Sequence, residues 1–180
     1  MIGVLVSGAG SNLQALLDAG LPVSAVASNV PGAPALGRAR TAGIPFRTFR
    51  LDDHPDREAR DLAMADWLAG HAVELVVCAG YMHLLTPGFL ARFPARVVNV
   101  HPALLPAFPG ANAVEDALAA GVSETGATVH LVDEGVDTGQ VLRREVVPVL
   151  ADDTAASLHA RIQAVEHRLL PEVVRELVAA

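Results

Sequence analysis

The chain has 180 residues, 52% of them hydrophobic, which is enough to bury one sizeable core and predicts a single domain over 1–180. Its formal net charge of -7 comes without a basic patch, which argues against partners such as nucleic acid or an anionic membrane surface. No run approaches the ~20 apolar residues of a bilayer span, the N-terminus lacks a basic leader, and the lone cysteine, Cys78, excludes an internal disulfide, so the expected location is cytoplasmic.

In chain order, short Val- and Ile-rich runs alternate with segments carrying apolar residues three and four apart, the pattern of buried parallel strands and covering helices. Strands are predicted at 2–6, 23–28, 46–49, 75–78 and 97–100, and helices at 13–19, 34–42, 55–70 and 87–92. After Pro102 a loop, "HPALLPAFPGANA", leads into a helix over 114–120. Two β-like runs, "GATVHLV" and "QVLRREVVPV", follow, separated by the turn "DEGVDTG". A last helix is predicted after Asp153, where Asp-Asp-Thr suits an N-cap, with a bend at Pro171. The fold class is therefore α/β: an open, mostly parallel twisted sheet with helices on both faces, then a C-terminal antiparallel hairpin and a long helix. Loops after the parallel strands gather along one edge, where ligands bind in such sheets.

The first of these loops is "SGAGSN", residues 7–12. Its glycines allow a tight turn, and the free N–H groups of the next helix, with the helix dipole behind them, make a seat for an anion such as phosphate. Leu13 stands where a dinucleotide loop needs its third glycine, no acidic residue closes the second strand, and a Walker lysine is missing, so NAD and nucleotide hydrolysis are set aside. The plain alternative is a strand-to-helix turn capped by Ser11 or Asn12.

Four polar residues interrupt apolar surroundings: Asn99, His101, His130 and Asp137. Asn99 and His101 are two apart, so they share a face if the strand runs through Val100. An amide donor beside an imidazolium suits a developing oxyanion at a carbonyl under attack, and Asp137 is the candidate carboxylate that would favour the charged ring. Two other readings stay open: polar capping of a strand end, and a metal site of His101, His130 and Asp137. His130, in mid-strand, reads as a hydrogen-bonded, partly buried histidine. Cys78, within "ELVVCAG", reads as a buried small hydrophobe. On the last helix Gln163 and Glu166 share a face with His159 and His167, the usual sign of a solvated stripe.

The ordered motifs "SGAGSNLQAL", "CAGYMHLLTPGFL", "VVNVHPALLPAFPGANA" and "GVDTGQVL" make the chain resemble, nearly end to end, the phosphoribosylglycinamide formyltransferases, a folate-dependent family of purine synthesis with a Rossmann-like fold. The resemblance implies a co-substrate, 10-formyltetrahydrofolate, and no metal. It would place the ribonucleotide phosphate on Gly10, Ser11 and Asn12, with Gln163, Ala164, Val165 and Glu166 reaching its phosphate and ribose. The folate would lie on Arg57, on Met82, His83, Leu84 and Leu85, on Asn99, and on the turn Asp133, Glu134, Gly135, Val136 and Asp137. His101 would be the general acid, Asn99 the oxyanion partner and Asp137 the group that keeps His101 protonated. The expected state is a monomer or weak homodimer with small-molecule substrates only.

Two departures stand out. His83 occupies a position where relatives often carry arginine, which removes a fixed charge beside the folate. Gln163 replaces the lysine of some relatives and leaves the phosphate to backbone amides and Arg161. Methionyl-tRNA formyltransferase and formyltetrahydrofolate deformylase share the chemistry but carry extra domains that this chain is expected to lack. A metal-dependent hydrolase and a non-catalytic module for a phosphorylated ligand are the competing functions.

Overall fold

The computed structural model describes residues 1–180. Five parallel strands come first: β1 (Ile2–Val6), β2 (Val23–Ser28), β3 (Phe46–Thr48), β4 (Leu75–Cys78) and β5 (Val97–His101). Between them lie helices α1 (Ser11–Asp18), α2 (Pro34–Thr41), α3 (Arg57–Gly70) and α4 (Pro87–Arg92), with a short 3-10 turn at Leu51–Asp53. Then follow α5 (Ala113–Ala119), the antiparallel strands β6 (Glu124–Leu131) and β7 (Val141–Pro148), and α6 (Ala155–Ala179). The seven strands form one sheet in the order β3-β2-β1-β4-β5-β6-β7.

Strand alternation divides the core into two layers. Ile2, Val4 and Val6 of β1 pack with α1, α2, α5 and α6, whereas Leu5 packs on the other face with Met64, Ala65 and Leu68 of α3 and Phe89 of α4. The same rule governs β5. Val98 and Val100 join the first layer and Val97 the second, so Asn99 and His101 continue the Val97 face beyond the cover of α3 and α4.

Local chemistry sets the element ends. Asp56 caps α3 through Ala59 N–H and Thr86 caps α4 through Phe89 N–H, each satisfying an orphan donor of the first turn. Thr154 and Ser157 form a reciprocal capping box at the start of α6, so the cap is Thr154 of the Asp-Asp-Thr run. The expected bend does not divide that helix: α6 runs through the buried Pro171 as one element. β3 stops one residue short of the predicted Phe49, which packs into the α3 layer. β5 extends one residue further, to His101, because His101 pairs with Thr128 of β6 and Pro102 then ends the ladder.

Sheet order reverses between β1 and β4, the point where the loops that follow them diverge and leave a crevice. The two loops are pinned across it: Ser7 N–H donates to the Gly80 carbonyl at 3.1 Å and Met82 N–H to Ser7 Oγ at 2.9 Å. No helix is long and apolar enough to cross a membrane.

Candidate active site

Outside the carboxyl ends of β1, β4 and β5 lies a cleft of about 470 Å³. One wall is the turn after β1. Gly10 caps α1 at φ 76 without any side-chain cap, so neither Ser11 nor Asn12 fills that role and the first-turn amides of α1 keep their donors free. Glycine is required at position 10: a Cβ there would stand 2.5 Å from the Ala35 Cβ, in a backbone region that L residues rarely enter. The other glycine of the turn, Gly8, has open space around it.

Behind this turn Asn12 donates from Nδ2 to Glu166 Oε2 at 3.1 Å, while its Oδ1 is buried without a partner. Glu166 is only 4% exposed, and burial pushes its carboxyl up to about 7, against the opposing Asn12 hydrogen bond. His159, Gln163 and Glu166, one helical face of α6, line the cleft; Ala164 and Val165 point elsewhere. Arg161 also turns away, its guanidinium bonded to Asp153 at 2.8 and 2.9 Å.

Four side chains converge at the end of β5. Pairing sets Asn99 opposite His130 and beside Cys78, and Asn99 Nδ2 approaches His130 Nε2 at 3.3 Å. His130 Nδ1 lies 2.8 Å from the Leu131 carbonyl, an acceptor only, so that nitrogen carries a proton. His101 Nε2 meets the Phe108 carbonyl at 2.7 Å, which places a proton there too, and its Nδ1 faces Asp137 Oδ2 at 3.4 Å.

Asp137 is the hub. It sits in the β6–β7 turn at φ 53, a left-handed conformation that aspartate tolerates better than most residues. Its Oδ1 lies 3.5 Å from His130 Nε2, and its Oδ2 accepts Gly110 N–H at 2.8 Å. The His130 hydrogen bond first, and then the Gly110 amide and the nearby imidazole charges, hold its carboxyl down at about 2 although burial opposes them. Asp133 staples the same turn by accepting from Gly135 N–H at 3.0 Å and Thr138 Oγ1 at 2.7 Å.

In the metal alternative the ligand atoms would be His101 Nδ1 and His130 Nε2, the two ring nitrogens that face Asp137, since the other nitrogen of each ring is bonded to a backbone carbonyl. No group of three or more His, Cys, Asp or Glu side chains is arranged to hold a metal ion. Cys78 is buried and its thiol is pushed up to about 12 by that burial, which makes it an inert lining group.

Met82, His83, Leu84 and Leu85 line the opposite wall with Asp133, Gly135 and Val136. Met82, Leu84 and Val136 are 68%, 46% and 46% exposed and give the cleft an apolar rim. Glu134 and Arg57 lie outside the lining. Sequence reading missed the buried pair Arg60 and Asp61 behind His83. Its signal was available, because these two residues stand four positions before Met64 and Ala65 on the apolar stripe of α3.

The fold is a Rossmann-like α/β sheet that brings an uncapped helix N-terminus and an amide–imidazole–carboxylate cluster into one crevice. The formyl transferase family model matches residues 1–174. A phosphoribosylglycinamide formyltransferase of Mycobacterium tuberculosis is 51% identical over 178 residues, covering 97% of this chain and 83% of that protein. The human trifunctional purine biosynthetic protein adenosine-3 is 40% identical over an alignment of 185 positions that covers 99% of this chain and 18% of that protein. The crystal structure of phosphoribosylglycinamide formyltransferase from Streptococcus pneumoniae superposes with a TM-score of 0.95 at 44% identity, covering 98% of each chain. The chain belongs to the phosphoribosylglycinamide formyltransferase family, enzymes of formyl transfer in purine biosynthesis.

Proposed function

We propose that the chain, as one domain, transfers the formyl group of 10-formyltetrahydrofolate to the amine of 5'-phosphoribosylglycinamide. The observation that carries this reading is the sharing of one cleft by the bare amides of α1 and the Asn99–His101 pair: an anion seat and an oxyanion site in the same crevice. The phosphate sits on the amides of Ser11 and Asn12, and Gln163 and Glu166 face the ribose. The folate ring lies against residues 82–85 and 133–137, with the apolar rim of Met82, Leu84 and Val136 around it.

The amine attacks the formyl carbon, a C–N bond forms, and the carbonyl electron pair moves to oxygen. Asn99 Nδ2 and a His101 N–H stabilise that oxygen, and Asp137 supplies the negative charge that favours the imidazolium. Collapse breaks the bond to folate N10, which departs with a proton while the amine has lost one. His101 Nε2 is bonded to the Phe108 carbonyl, so donation from that nitrogen requires the carbonyl to yield its place to the substrate oxygen. His130 Nε2 stands 3.3 Å from Asn99 Nδ2 and 3.5 Å from Asp137 Oδ1, and as one ring nitrogen it either accepts from the first or donates to the second.

The test mixes purified protein with both substrates and follows tetrahydrofolate. Release only when both are present supports the reading; release without the ribonucleotide indicates a deformylase and overturns it.

A further inference from the structure

Beneath the folate wall lies a cation that the chemistry above does not use. Arg60 is fully buried, and its Nε and Nη2 donate to Asp61 Oδ1 at 2.8 and 2.7 Å. The other Asp61 oxygen accepts Thr86 N–H at 2.9 Å, tying the pair to the start of α4. The remaining Arg60 nitrogen, Nη1, lies 2.6 Å from His83 Nδ1. A guanidinium only donates, so Nδ1 accepts and the ring proton of a neutral His83 is on Nε2.

The consequence runs onward. His83 Nε2 lies 3.3 Å from Asn29 Nδ2, and because an N–H donor there needs an acceptor, the tautomer requires the Asn29 amide turned over with Oδ1 toward the ring. Turned over in this way, Asn29 presents Nδ2 to Ser7 Oγ across the 2.6 Å otherwise spanned by a Ser7 hydroxyl donating to Asn29 Oδ1, and Ser7 Oγ also accepts Met82 N–H at 2.9 Å. Donation therefore has a single sense from Arg60 through His83 and Asn29 to Ser7, linking α3, the loop after β4, the end of β2 and the turn after β1.

We infer that Arg60 is a positioning residue for the folate: it fixes His83 as the neutral Nε2–H tautomer and, through Asn29 and Ser7, locks residues 82–85 into one face for the flat ring. This rests on the folate reading of the cleft given above. The charged groups around His83 are Arg60, Asp61 and Arg57 of α3, with Tyr81 on its own loop. Partial burial, then Arg60, act against a second proton on His83; Asp61 favours one, and Arg57 again opposes it. The guanidinium bond on Nδ1 and this balance of charges both oppose a second proton on the histidine at the mouth of the cleft.

The full chain, labelled with 15N, tests the first half without ligand. Long-range proton–nitrogen spectra from about pH 8 to about pH 5.5 should show His83 Nδ1 unprotonated and Nε2 protonated throughout, with His83→Gln supplying the assignment. Protonation of His83 near ~6.5, the ordinary histidine value, overturns the proposal. The second half uses Arg60→Lys, which keeps a cation for Asp61 but cannot bond both Asp61 and His83. Its affinity for tetrahydrofolate should fall about tenfold and become pH-dependent, the loss of roughly one directed hydrogen bond, while glycinamide ribonucleotide affinity stays within about twofold. Equal losses for both ligands, or unchanged folate affinity, overturn it. Should Arg60→Lys fail to fold, the tautomer spectra of the unaltered chain decide between support and refutation. Failure of the unaltered chain to bind tetrahydrofolate overturns the folate reading itself, and the state of His83 is read independently.

Discussion

Replacing Glu166 with glutamine isolates a charge that burial disfavours. Glu166 is 4% exposed and has one partner, Asn12 Nδ2, which a glutamine oxygen accepts equally well, so Glu166→Gln keeps the contact and removes the ionisation. Its carboxyl lies at about 7 in the folded chain against an ordinary 4.5. Below the ordinary value both folded and unfolded chains hold the proton and the group costs nothing. As pH rises from about 4.5 to about 7 the unfolded chain releases the proton first, so stability falls; above about 7 both are ionised and the cost is constant. At ~1.4 kcal/mol per pKa unit this amounts to about 3 kcal/mol as an upper value. Urea unfolding of the ligand-free chain at pH 4.5, 6 and 8 should show Glu166→Gln matching the parent at the lowest pH and exceeding it by about 1–3 kcal/mol at the highest. A stability difference that is the same at all three values would refute the argument, because it would show that the buried carboxylate is not the source.

Asp137→Asn should lower turnover by about 10², since a neutral amide no longer favours the imidazolium of His101; steady-state rates with an unaltered pH profile would show that Asp137 does not govern that ring. His101→Ala should leave ribonucleotide binding by calorimetry within about threefold and remove at least ~10² of turnover, because the phosphate seat is on α1 and the acid is on β5. Gly10→Ala should cost about 2 kcal/mol or more in urea unfolding and weaken ribonucleotide binding, because the new methyl meets the Ala35 Cβ at 2.5 Å in a left-handed backbone. Thr154→Ala should cost about 1 kcal/mol without touching turnover, as it removes the cap of α6 far from the cluster.

The loss expected from Gly10→Ala points to what kind of information the sequence carries. Nothing local distinguishes Gly10 from Gly8: both stand in "SGAGSN", and only the packing of α2 against the turn makes one indispensable and leaves the other in open space. Likewise Gln163 to Glu166 is a continuous stretch in sequence, whereas the helix turns two of its four residues to the cleft.

By itself the sequence determined the element order, the parallel character of β1 to β5 and the shared face of Asn99 and His101, because periodicity of two or 3.6 and the punctuation of Pro and Gly are local properties written in neighbouring residues. Tertiary structure decided the rest. Asp137 meets His101 and His130 only because β6 returns antiparallel beside β5 and its turn folds back over the strand ends. The partner of His101 Nε2, a backbone carbonyl at Phe108, has no signature in residue type at all. Arg60 reaches His83 because a charged pair is buried on an apolar helix stripe, against the polarity that the stripe would lead one to expect. Contacts between residues distant in the chain depend on register and burial, and those are fixed only when the whole sheet is assembled.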